Sequence, residues 1–129
     1  MTFDLATLDT AKVAEEGAEL LVAHPATGEE LGIKISLIGM DSKTFRDISK
    51  TRATASLKKK SRDIDLDQGE VESIELLAKC TKGWEGITEN GIEVPFSYEN
   101  AVKLYAKYLW LKEQVDRFIV DRSNFLPSA

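Results

Sequence analysis

From residue 101 onward, apolar side chains recur at spacings of three and four: Ala101, Leu104, Tyr108, Leu111, Val115 and Phe118. That spacing puts them on one face of a helix, and such a face must be covered. Tyr105 and Ile119 widen the stripe, and no glycine or proline interrupts residues 97–123. One long helix and two abutting helices both fit the pattern. Ser97 suits the N-cap, and Glu99 suits the first turn, where a carboxylate meets the positive end of the helix. Any fold of this chain has to bury the seam, so the other segments must supply what packs on it.

"AELLVAHPATGEELGIKISLIG" reads as two strands around a turn-rich loop. Leu20 and Val22 alternate with Glu19 and Leu21, and Ile33, Ile35 and Leu37 share a face opposite Lys34 and Ser36. Pro25, Gly28 and Gly32 punctuate the connection. A short helix is expected within 4–17, capped by Asp9 or Thr10 and stopped at Gly17. After Gly39, "MDSKTFRDISKTRATASLKKK" reads as a helix capped by Asp41 or Ser42, loosely buried because Phe45 and Ile48 make only a narrow apolar stripe. "SRDIDLDQG" reads as a loop. Residues 70–82 read as a further helix, with Val71, Ile74, Leu77 and Ala78 on one face and Gly83 as a left-handed C-cap.

"GWEGITENGIEVPFSYENA" then joins that helix to the aromatic seam. Asn90-Gly91 is a hairpin turn signal, because both residues tolerate positive φ. Ile92, Val94 and Phe96 alternate after it, and Pro95 limits pairing to an edge. Trp84, Val94 and Phe96 are expected to close over the core, so the stretch acts as a fastener that sets the angle of the next helix. The expected fold is α+β and mainly α-helical. An N-terminal strand pair is followed by three to four helices with a small connector hairpin. It is expected to be one domain over 1–129, frayed near 1–3 and 126–129.

At 43% apolar and 30% charged, the 129 residues argue for a folded chain over a disordered one. There is no run of about 18 apolar residues to span a membrane, and no secretory signal is expected from "MTFDLATLDTAK". Cys80 is the sole cysteine and His24 the sole histidine, too few for a Cys/His metal site. Cys80 reads as a small buried hydrophobe in a reducing compartment, and His24 has no nucleophile beside it. "DIDLDQGEVESIE" misses an EF-hand loop, with Gln68 at position 6 and Ile74 at position 12, while Gly69 and Glu75 each come one residue late. With no Gly-rich phosphate loop and no nucleophile elbow, no catalytic residue, cofactor or metal is assigned, and an enzyme is not expected.

Charge is segregated. Residues 43–62 hold eight bases against Asp47, a net +7, and residues 63–75 hold six acids and no base, a net −6. Three readings stay open for the basic block: a phosphate-contacting surface, a solvated helix face, or a contact between copies with the acids of one meeting the bases of the next. The net charge of −5 argues against general nucleic-acid affinity. Lys58, Lys59, Lys60, Asp63, Asp65 and Asp67 are the candidates for self-association. On the seam, Tyr105, Tyr108, Trp110 and Phe118 are candidates for binding a partner, since aromatic anchors on a helix are common binding hot spots. The alternative is that they complete the core.

"GW" at 83–84, "NGIEVPFSYENAVKLY" at 90–105, "W" at 110, "EQV" at 113–115 and "NFL" at 124–126 resemble the C-terminal half of phage tail assembly chaperones of the long non-contractile tail type. "HPATGEELGIKISLIGMDSKTFR" is similar in style to the same proteins. Where that family often has a proline near 108–110, this chain reads "KYLWLKE". The resemblance implies a non-enzymatic protein of the host cytoplasm that coats the tape measure protein and recruits tail tube subunits. It also implies self-association, and head-to-tail pairing of the +7 and −6 blocks between copies would favour a ring or open spiral over a closed dimer. The other functions weighed are a head–tail joining protein or similar structural adaptor, and a small nucleic-acid-binding regulator.

Overall fold

The structure is a computed structural model. It describes the backbone of residues 2–59 and 66–126, and the side chains of those residues outside 52–68. A 3₁₀ turn at Leu5–Leu8 leads into α1 (Thr10–Glu16), where Asp9 accepts from the Lys12 N–H at 3.2 Å. Gly17 ends α1 at φ 88°, and a Cβ there would meet the Leu37 carbonyl oxygen at 2.8 Å. Only glycine fits both conditions, and they let the chain turn straight into the sheet.

β1 (Ala18–Ala23) and β2 (Glu30–Leu37) pair antiparallel, as their alternation predicts. The pair is not complete, however. β3 (Thr81–Glu85) lies antiparallel on the other side of β2, giving the order β1-β2-β3. Ile35 therefore stands between Leu20 and Trp84. The buried face carries Val22, Ile35 and Leu37, while Glu19, Leu21, Lys34 and Glu85 are exposed.

β3 corrects the reading of 70–82 as one helix. α3 runs over Leu66–Lys79, so it begins inside the expected loop and ends before Cys80. Gly83 is a strand residue, and its φ is not positive. Pairing with the central strand overrides the local helical pattern here. Cys80 accepts from the Ile38 N–H at 2.9 Å, and the buried Thr81 hydroxyl donates to the Leu77 carbonyl at 2.9 Å. Val71, expected on the buried face, is exposed, whereas Ile74, Leu77 and Ala78 are buried as read.

α2 (Lys43–Lys59) is capped by Ser42, whose Oγ accepts from the Phe45 N–H at 3.1 Å. The strands β4 (Thr88–Glu89) and β5 (Ile92–Glu93) form the expected hairpin, with Asn90 at φ 55° and Gly91 at φ 80°. Its role as core closure is only partly as read. Ile87 is buried and Ile92 is exposed, and Trp84, Val94 and Phe96 are not fully buried. Trp84 instead braces the connector, donating from Nε1 to the Val94 carbonyl at 2.9 Å with its ring edge-on to Phe96.

Ser97 caps α4 (Tyr98–Lys107), accepting from the Asn100 N–H at 3.0 Å. α5 (Leu109–Val120) follows after one non-helical residue, Tyr108 (φ −108°, ψ 86°), so the seam is carried by two helices. The core joins the inner sheet face to Ile74 and Leu77 of α3, Leu104 and Tyr105 of α4, and Leu111, Val115 and Ile119 of α5. A 3₁₀ turn at Arg122–Asn124 then returns the chain to the α1–α2 junction, where Arg122 grips Asp41 through Nε at 2.5 Å and a terminal nitrogen at 3.0 Å.

Candidate functional site

The four aromatic candidates fall into different environments. Tyr105 is fully buried, with its hydroxyl 2.8 Å from that of Thr81. Since Thr81 donates to Leu77, Tyr105 donates to Thr81, and no polar atom of the pair is left unbonded. Burial pushes the Tyr105 phenol up to about 12. A partner cannot reach this ring, so Tyr105 is a core residue and the expectation of a binding role for it is corrected.

Tyr108, Trp110 and Phe118 are partly exposed and line two clefts. The larger, about 490 Å³, lies between β1 with its following turn (Leu20, Ala23, His24, Pro25) and α5 (Trp110, Gln114, Phe118). The smaller, about 200 Å³, is bounded by Ile33, Ile87, Glu89, Leu104, Tyr108 and Trp110. Trp110 lines both. Phe118 is held from behind by the ring of Phe125, with centroids 5.4 Å apart.

Glu89 fixes the elbow between α4 and α5. Its Oε2 accepts from the Tyr108 hydroxyl at 2.6 Å and from Lys107 Nζ at 3.1 Å. These two hydrogen bonds, Tyr108 first, hold the Glu89 carboxyl below its ordinary range. The same bonding raises Tyr108 and Lys107 above theirs. The hairpin is thereby tied to the break in the seam.

Residue-type reasoning missed Gln114. Its amide oxygen accepts from the Ala23 N–H at 3.0 Å, and its amide nitrogen donates to the Ala23 carbonyl at 2.7 Å. The signal was present: a polar residue four positions after Trp110 and four before Phe118 shares their side of the helix. His24 closes the β1–β2 turn, its Nδ1 accepting from the N–H groups of Ala26 (3.0 Å) and Thr27 (3.2 Å).

Among the other candidates, Lys60, Asp63 and Asp65 lie outside the described residues, as do the side chains of Lys58, Lys59 and Asp67. The chain is helical from Leu66, so residues 66–74 run along an axis and do not wrap as a calcium loop. No cluster of His, Cys, Asp and Glu among the described residues could hold a metal ion, and no helix among them is long and apolar enough to cross a membrane. No protein-family model, curated protein or solved structure matches the chain.

Proposed function

We propose that this chain is a non-enzymatic phage tail assembly chaperone, which holds an apolar segment of the tape measure protein in the host cytoplasm and helps to recruit tail tube subunits. The observation that carries the binding role is Trp110, a large amphipathic side chain that lines two open clefts, the larger together with Phe118 and the smaller together with Tyr108. Rigid aromatic side chains in a preformed concavity bind apolar residues at low entropic cost. The identity of the partner rests on the sequence resemblance over residues 83–126. Self-association through the charged blocks belongs to the same proposal, and sedimentation at low and high salt tests it.

Co-expression with the tape measure protein of the same gene cluster, followed by affinity capture, tests the reading. A recovered complex with more tape measure protein in the soluble fraction is the expected result. Failure to recover any complex, with no gain in solubility, overturns it.

A further inference from the structure

We propose that β1 takes an extended, apolar segment of the partner as an added strand, in the cleft between β1 and α5, and that Gln114 holds the vacant strand position until the segment arrives. This rests on the reading of the cleft as the partner site. β1 is the outer strand of its sheet, and one wall of the cleft is that strand while the other is a helix. An edge strand facing a helix is the arrangement in which peptides bind by strand addition, with main-chain bonds giving affinity and side-chain pockets giving selectivity.

Gln114 supports an extended occupant over a helical one. A side-chain amide has the donor and acceptor of a peptide group, and this one bonds both main-chain groups of Ala23. It thus does for Ala23 what a neighbouring strand would do. The register of β1 on β2 shifts between Leu21 and Ala23, where these groups turn to α5. A helix satisfies its own backbone and has no use for Ala23, whereas an incoming strand replaces the two Gln114 bonds with two of its own. Its side chain toward the cleft would meet Leu20, Pro25, Trp110 and Phe118. At the rim the exposed acids Glu113 and Asp121 outnumber Arg117, which favours a segment flanked by lysine or arginine.

Short overlapping peptides covering the tape measure protein are titrated against the full chain and against Gln114→Ala. Gln114→Leu, which keeps volume near the original and removes both bonds, serves if the alanine variant loses its fold. An apolar peptide with a basic flank should bind, and about tenfold more tightly to the variants, which surrender no internal bonds. The Ala23 amide of the free variants should exchange quickly with solvent and become protected when peptide is bound. Strand addition is overturned, and the reading of the cleft kept, if a peptide binds the variants no more tightly than the unaltered chain or leaves that amide unprotected. The same holds if the intact tape measure protein is captured but no peptide binds. If neither the intact protein nor any peptide binds, both fall.

Discussion

Tyr105 and Trp110 lie five positions apart, and at residue scale their roles separate on burial alone. Both are aromatic and both flank the same seam, yet one is sealed against Thr81 and the other lines open clefts. A sequence gives the residue type, but not which side of the stripe meets the sheet. The buried phenol has a measurable consequence. Its folded value of about 12 lies above the ordinary 10.0, so the folded state keeps its proton while the unfolded chain loses it. This contribution is complete below pH 10 and is lost as pH rises toward 12. The rise from 10.0 to about 12 corresponds to about 3 kcal/mol. Urea unfolding of Tyr105→Phe should show a shallower loss of stability across that range than the unaltered chain. At neutral pH the same variant should cost about 1 kcal/mol, the lost hydrogen bond.

Among the elements, legibility followed the range of the interactions. β1 and β2 could be read because their alternation is local, and α4 because Ser97 caps it. β3 was not legible, since its pairing with β2 outweighs a helical pattern that locally runs on to Lys82. The elbow at Tyr108 has no proline or glycine to announce it. Its tie comes from Glu89, nineteen positions earlier. Because the Glu89 carboxyl is held below its ordinary 4.5, the ties to Tyr108 and Lys107 are present above that pH and are lost as pH falls through the lowered value. Amide protection over residues 88–93, taken relative to the intrinsic exchange rate at each pH, should therefore fall on acidification before the β1–β2 ladder opens. Glu89→Gln should lower that protection already at neutral pH. Equal exchange in the variant and the unaltered chain would show that the hairpin is held without the carboxylate.

For the whole molecule, the cleft is a product of chain return, which is why no local pattern reveals it. Ala23 and Gln114 are 91 positions apart, and they meet only because α5 packs beside β1. The return is locked at the junction of α1, β2 and α2. There the Gly39 N–H donates to Ala14, the Met40 N–H donates to Ile119, and the ring of Phe125 fills the space that a side chain on Gly39 would need. Phe125 also backs Phe118. Phe125→Ala should cost about 3–5 kcal/mol as a buried aromatic truncation, read as a lowered urea midpoint. It should also loosen the Phe118 wall of the larger cleft.

The proposed function puts the partner on the face of the seam presented by Trp110 and not on the core face presented by Tyr105. Isothermal titration of a tape measure fragment into the unaltered chain, Trp110→Ala and Tyr105→Phe tests it directly. Trp110→Ala should bind about thirtyfold more weakly, the loss of a hot spot worth about 2 kcal/mol, and Tyr105→Phe should bind unchanged. Full affinity in a folded Trp110→Ala variant would contradict it.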